Sequence, residues 1–241
     1  MNNINRIHDI SKKNNSGIGV LDKAVHILSY LSMKGEGGLS EIVSSTGMAR
    51  STVYRLLKAM EIHHLVVHTS GRRFALGSRL IGWGEKSKYR TWIECARPIL
   101  VQLRDVTGVS TQLFVREGNE RVCIASEEPF IGLKNTVPLG AVFPLSAGSA
   151  GKVLVVWSEG NIIAEEQKTI KKRGWAESVA EREPGVASVS APVFGPARHL
   201  YAAICLSGPI HRLGEHPGQR FSALVVDAAK KIEKTLYDAM R

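Results

Sequence analysis

The chain has 241 residues, 44% of them hydrophobic and 6% aromatic, and its 32 Lys/Arg outnumber its 22 Asp/Glu for a formal net charge of +10. That length suits one large domain or two small ones, and so few aromatics disfavour single-strand binding by base stacking. No apolar run approaches the ~18 residues of a membrane helix, and the first 30 residues hold no apolar signal core, so the expectation is a cytoplasmic protein with no membrane partner.

Residues 1–17 are polar, with Ser11-Lys-Lys-Asn-Asn-Ser16, and read as a flexible basic arm. Residues 18–76 read as a winged helix-turn-helix domain. Leu21, Ala24, Val25, Leu28 and Leu31 recur at helical spacing and form the core face of a first helix. From Gly38 to Met60 two further helices follow. Ile42 and Val43 give an apolar step on the first of them, and Gly47 stands where a helix end needs a left-handed backbone. In the next helix Val53, Leu56, Leu57 and Met60 share one face. Arg50, Ser51, Thr52, Tyr54, Arg55 and Lys58 then project the other way. Short hydroxyls at a helix start can bond phosphates, and Arg55 can reach base edges, as in a recognition helix lying in the major groove. His64–His68 and Phe74–Gly77 form two β runs around a Gly-containing turn, a hairpin in the place of a wing. Arg72 and Arg73 are placed at its tip, in reach of phosphate or minor groove.

Residues 77–90 read as a linker helix with Leu80, Ile81 and Trp83 apolar, weakened by Gly82 and Gly84. Residues 91–241 form the second domain. A helix from Trp92 to Val106 turns Ile99, Leu100, Leu103 and Val106 inward. Thr111–Arg116 and Arg121–Ala125 make a hairpin, and Gly132–Val137 offers another strand. Ser149–Trp157 reads as a helix of small apolar residues, and a basic helix ends at Ile170–Gly174. Val186–Val193 and Tyr201–Leu206 are β-rich, and Phe221, Leu224, Val225, Ala228, Ile232 and Leu236 define a last amphipathic helix. Helices at both ends of antiparallel strands imply an α+β domain with a curved sheet.

Charge separates these regions. Residues 1–90 carry 14 Lys/Arg against 6 Asp/Glu, a net of +8, whereas residues 91–241 carry 18 against 16, a net of +2. The basic excess sits on the segment with the helix-turn-helix pattern, as a polyanion-binding domain requires.

Nothing points to an enzyme, a cofactor or a metal. Cys95, Cys123 and Cys205 lack metal-ligand spacing, and their odd number argues against a complete disulfide framework. They read as buried reduced thiols. Ser149-Ala-Gly-Lys152 suggests a phosphate loop superficially, but such a loop needs glycine at the position of Ser146 and Ser or Thr at that of Val153. The histidines read as surface or wing residues.

In this order the pieces resemble the IclR family of bacterial transcriptional regulators. The resemblance rests on STVYRLL, FALGSRL, the ARP of Ala96–Pro98, PLSAGSAGKVLVVW, KKRGW, EREPGVASVSAPVF and ICLSGPIHRL, and it spans about residues 18–240. GVLDKA, LRDVTG and EREPGVASVSAPV further resemble the actinobacterial branch that controls leucine and other amino-acid biosynthesis genes. The resemblance implies a winged helix, a linker helix and a GAF/PAS-like effector-binding domain. It also implies homodimers or dimers of dimers on palindromic double-stranded operators, and a small-molecule effector in the second domain. Carried over, the effector-binding positions are Ala147, Gly148, Ser149, Ala150, Ser178, Ser188, Cys205 and Ser207. Two departures stand out. Ser178 replaces an acidic residue common in the family, and the short stretch from Trp157 to Ile170 leaves a helix near the pocket mouth truncated or missing. With no arginine placed in that lining, a neutral or zwitterionic ligand is expected, or a carboxylate held by backbone N–H groups around Ala147–Gly151; an amino acid or short keto acid qualifies. The main rival is a ligand-independent architectural DNA-binding protein, against which stands a second domain of about 150 residues, too large for a dimerisation clip alone.

Overall fold

The computed structural model describes residues 16–130, 132, 135–158, 165–195 and 198–240. The arm at residues 1–17 therefore lies almost wholly outside the described residues. The chain divides into two compact units between Ser87 and Lys88.

The first unit contains α1 (Gly19–Lys34), β1 (Glu36–Gly38), α2 (Leu39–Thr46), α3 (Arg50–Ile62), β2 (Val66–Thr69), β3 (Arg73–Leu76) and α4 (Arg79–Glu85). Gly47 ends α2 at φ 68°, the left-handed cap its position required, and its N–H bonds the Val43 carbonyl. The three-stranded antiparallel sheet runs β1-β3-β2. β1, which hydrophobic alternation did not reveal, places Gly37 opposite Phe74. The core gathers Ile27, Tyr30 and Leu31 of α1, Ile42 of α2, and Val53, Leu57 and Met60 of α3 with Val66 and Phe74 of the hairpin. Each fully buried Leu or Ile there contributes roughly 1.5–3 kcal/mol. The face of α1 matches the expected one in part: Ala24, Leu28 and Leu31 pack in the core, joined by Ile27 and Tyr30, while Leu21 and Val25 are 52% and 48% exposed. In place of a linker helix over 77–90, α4 covers seven residues and buries none of them.

The second unit contains α5 (Arg90–Thr107), β4 (Ser110–Glu117), β5 (Glu120–Glu127), β6 (Val142–Pro144), α6 (Ser149–Ser158), α7 (Glu165–Arg173), β7 (Ala176–Val179), β8 (Val186–Phe194), β9 (Leu200–Pro209), α8 (Ile210–Leu213) and α9 (Pro217–Ala239). Its sheet is antiparallel throughout, in the order β6-β5-β4-β9-β8-β7. One face packs on α5 and α9: Leu113 and Val115 of β4, Val189, Ala191 and Val193 of β8, and Ala202, Ile204 and Leu206 of β9 meet Leu100, Val225, Ile232 and Leu236. The opposite face carries Phe114, Cys123, Ala203 and Cys205 beneath α6 and α7, which add Val153, Leu154 and Ile170. Strand side chains alternate between faces. The serines of β8 and β9 therefore fall together on the α6 side, between covered layers rather than in solvent.

Two expectations are corrected. Val106 on α5 is 66% exposed; Cys95, Ala96, Leu100 and Leu103 form the inward row. The described residues of the 132–137 stretch form no strand, and the edge partner of β5 is Val142–Pro144. The basic helix expected to end at Ile170–Gly174 is α7, with Ile170 buried beside α6; the expected truncation between Trp157 and Ile170 falls largely on residues 159–164, which lie outside those described.

Candidate DNA-reading surface and effector cavity

α3 is fixed from one side only. Val53 and Leu57 are fully buried and Met60 nearly so, which turns Ser51, Tyr54, Arg55 and Lys58 outward, with Thr52 half-buried. Arg50 donates to Ser40 Oγ of α2 at 3.0 Å, and Lys58 donates to Glu61 at 2.9 Å. That bond to Glu61 holds the Lys58 ammonium above its ordinary pKa. Arg55 and Arg72 have no hydrogen-bond or ionic partner among the described residues. A guanidinium left in water at low cost keeps its five donors for a ligand.

The hairpin tip holds only one of its two expected arginines. Arg72 sits in the turn at φ 61°. Arg73 instead begins β3 and reaches inward to α2. Its Nη2 donates to Glu41 Oε2 at 2.9 Å and its Nη1 to Glu41 Oε1 at 3.1 Å. Its Nε stands 2.7 Å from Glu36 Oε1, an ionic contact without an aligned hydrogen bond. Glu41 also accepts from Gly38 N–H, and the Arg73 and Gly38 bonds hold its carboxyl below the ordinary carboxylate range. Arg73 thus joins the hairpin to the start of α2.

In the second unit, α6 and the serine face of the sheet enclose a narrow cleft. Gly148, Ser149, Ala150, Ser178, Ser188, Cys205 and Ser207 line it. Ala147 does not; its carbonyl accepts from Arg121 Nη1. Ser149 Oγ lies 2.7 Å from Ser188 Oγ and 2.8 Å from Ser190 Oγ. Small residues are required here: a Cβ on Gly151 would fall 2.3 Å from the Leu145 carbonyl and 2.5 Å from Arg121 Nη1.

Gln112, Phe114, Arg121, Asn135, Val137, Arg182 and Val186 complete the wall. The two arginines overturn the expectation of a lining without counter-charge. Arg121 is 3% exposed and lies over the rings of Phe114 and Phe143. Burial, with the like charge of Arg182, lowers its pKa to about 10, so it remains a cation at neutral pH. Its position was available in the sequence: Arg121 lies two residues before Cys123 on a strand and faces the same way.

The thiols are inert. Burial pushes Cys123 up to about 12 and raises Cys205 as well, so neither supplies a thiolate near neutrality. At the N-terminal end of α6, Glu181 accepts from Gly148 N–H at 3.1 Å and from Lys152 Nζ at 2.6 Å. Burial would raise the Glu181 carboxyl, but these two bonds outweigh it and hold it below its ordinary value. No group of three or more His, Cys, Asp or Glu among the described residues could hold a metal, and no described helix is long and apolar enough to cross a membrane.

Residues 20–70 match the IclR helix-turn-helix domain, and residues 159–234 match the bacterial transcriptional regulator IclR C-terminal domain. The chain is 28% identical over 250 residues to the transcriptional repressor AllR of Salmonella typhimurium, covering 91% of this chain and 90% of that protein. It is 24% identical over 249 residues to the transcriptional repressor IclR of Escherichia coli, covering 92% and 90%. Among solved structures it resembles the IclR of Thermotoga maritima, with TM-score 0.67, 23% identity and coverage of 91% and 99%. It also resembles an IclR homologue of Microbacterium hydrocarbonoxydans complexed with 4-hydroxybenzoate, with TM-score 0.69, 17% identity and coverage of 90% and 98%.

Proposed function

Since the chain belongs to the IclR family of DNA-binding transcriptional regulators, with a C-terminal effector-binding domain, we propose that it acts in the cytoplasm as a homodimer or dimer of dimers on a palindromic operator. In this reading α3 enters the major groove with Arg55 at base edges, and Arg72 binds backbone from the hairpin tip. The observation that carries it is the partnerless Arg55 on the polar face of a helix whose other face is fully buried. The test is operator binding by Arg55→Ala, which loses affinity for the cognate site but not for unrelated duplex.

Pairing has support from apolar side chains left in water. Ile18, Val20, Leu21 and Val25 at α1, and Ile81 and Trp83 on α4, are each about half exposed or more. A second copy of this chain is the occupant proposed for them, because a two-fold operator needs two reading helices.

The cleft beneath α6 is proposed to hold the effector. Arg121 favours an anionic ligand, since a buried cation without a carboxylate partner is costly; the 4-hydroxybenzoate held by a solved relative is of that class. The sequence likeness to regulators of amino-acid biosynthesis keeps precursors from that metabolism as candidates. A ligand-independent architectural role explains α3 but gives the polar cleft nothing to do.

A further inference from the structure

Most of the cleft wall is held by regular structure: β4, β5, β8 and β9 by their ladders, and α6 by Val153 and Leu154 in the core. The turn joining β7 to β8, residues 180–185, is held differently. It carries Arg182 into the wall, and it continues β7, which stands at the edge of the sheet and pairs with β8 alone. Two left-handed residues bound it, Ala180 at φ 56° and Gly185 at φ 81°. A residue with a Cβ keeps that conformation only where its surroundings compel it, and such residues gather at clamps and switch regions.

Side chains tie this turn down. Glu181 reaches the first turn of α6, where its Oε2 accepts from Gly148 N–H at 3.1 Å and its Oε1 from Lys152 Nζ at 2.6 Å. Lys152 Nζ also donates to Glu166 Oε1 of α7 at 2.7 Å and to the Glu177 carbonyl of β7 at 3.4 Å. An ammonium has three hydrogens, so those of Lys152 join α6 to α7, to β7 and to the turn. Arg182 Nη2 donates to Asn135 Oδ1 at 2.9 Å, across to the stretch that follows β5. These ties are partly in water: the side chains of Lys152 and Glu181 are 21% and 33% exposed. Ion pairs of that kind are weak, and a segment held by few of them opens locally at far less cost than the sheet behind it. Outside the turn lies a second groove, lined in part by Lys152, Glu166, Thr169, Arg173 and Glu215. Ser178 lines both that groove and the cleft.

We propose that the β7–β8 turn is the gate of the cleft: residues 180–185 swing about Ala180 and Gly185, Glu181 and Arg182 hold them closed, and the outer groove is the way in. The gate sets how fast any occupant enters and leaves, not which occupant the cleft takes. With the turn closed, Cys205 on the cleft wall is 4% exposed. Opening the turn uncovers that thiol. Cys95 lies in the core on the other face of the sheet, at the contact of α5 with α9, and stays covered.

The experiment is alkylation of the full chain by iodoacetamide, with the rates at Cys205 and Cys95 read separately by peptide mass spectrometry. Glu181→Ala loses both bonds to α6. It should label Cys205 about tenfold faster than wild type, as for the loss of one charge-assisted hydrogen bond, and leave the Cys95 rate unchanged. Lys152→Met should give a rise that does not add to that of Glu181→Ala, because the two act on one contact. Amide exchange across residues 180–186 should quicken in the same variants, which separates movement of the turn from a change in thiol acidity. Should Glu181→Ala fail to fold, Glu181→Gln keeps an acceptor for Gly148, loses the ionic tie to Lys152, and should still speed Cys205 several-fold. An unchanged Cys205 rate overturns the gate. So does a rate that rises together with that of Cys95, which is loosening of the whole unit, and so does a faster thiol with unaltered amide exchange. Since no effector enters the test, failure of the gate leaves the effector reading standing.

Discussion

The two units use arginine in opposite ways. In the first, Arg55 and Arg72 stand in water beside a closed apolar core, so their charge is screened and costs little until a polyanion arrives. In the second, Arg121 is buried beneath α6, near Arg182 and over aromatic rings, with neutral carbonyls for partners. The exposed arrangement suits long-range attraction to any duplex, with specificity added at base edges. The buried one suits recognition of one small shape, because every misplaced polar atom there goes unpaired.

The largest effects come from breaking either core. Leu57→Ala should remove about 2–5 kcal/mol from the first unit, read as loss of operator binding while ligand binding persists. Gly151→Ala should cost the second unit about 1–3 kcal/mol through overpacking, because its Cβ would meet Leu145 and Arg121. Calorimetric unfolding of each variant checks both, and an unchanged transition in Gly151→Ala would show that the loop before α6 gives way freely.

Next in size is the separation of reading from holding. Arg55→Ala should cost about 1–3 kcal/mol at the cognate operator. Arg72→Ala should weaken cognate and random duplex alike and reduce the salt slope by about one unit. Anisotropy titrations over a range of salt distinguish them, and a uniform loss in both variants would place Arg55 on phosphate.

Smaller still is the hairpin clamp. Arg73→Ala and Glu41→Gln should weaken operator binding by similar, non-additive amounts, since each breaks the same contact. Independent, additive losses would mean that Arg73 touches DNA itself. The Glu41 carboxyl is held below its ordinary value in the folded chain. Its stabilising contribution is therefore complete above the ordinary carboxylate pKa and fades as pH falls through the lowered one. The hairpin should loosen only in acid, and Glu41→Gln should remove that pH dependence from near-ultraviolet dichroism of the first unit.

The outward face of α3 was legible because helical spacing alone separates Val53, Leu57 and Met60 from Ser51, Arg55 and Lys58. The small residues of the cleft came from the family resemblance rather than from spacing; in the fold Ser188 and Ser207 alternate with apolar neighbours on strands covered from both sides. Spacing failed where an apolar side chain has a destination other than the core. Leu21, Val25 and Val106 carry the right periodicity and remain in water. Arg121 went unread because composition places arginine at the surface, and only the strand register reveals that it points inward. The hydrogen-bonded run from Asn135 through Ser207 to Gln112 on the cleft wall was out of reach of any local pattern. Its links join residues 72 and 95 positions apart in the chain, and the orientation of Gln112 exists only once all of them meet.

The central claim is that occupancy of the cleft controls the grip of α3 on DNA. The most direct measurement is operator affinity of the full chain, at one fixed salt concentration, with and without each of three small carboxylic acids, 4-hydroxybenzoate, pyruvate and 2-oxoisovalerate, for wild type and Ser207→Leu. Occupancy should change wild-type affinity by about 5–150-fold, the usual range of coupling between two sites. Ser207→Leu, which fills the cleft, should bind operator as unliganded wild type does and lose the response. A wild-type affinity indifferent to all three acids, or a leucine variant that responds as wild type does, would contradict it.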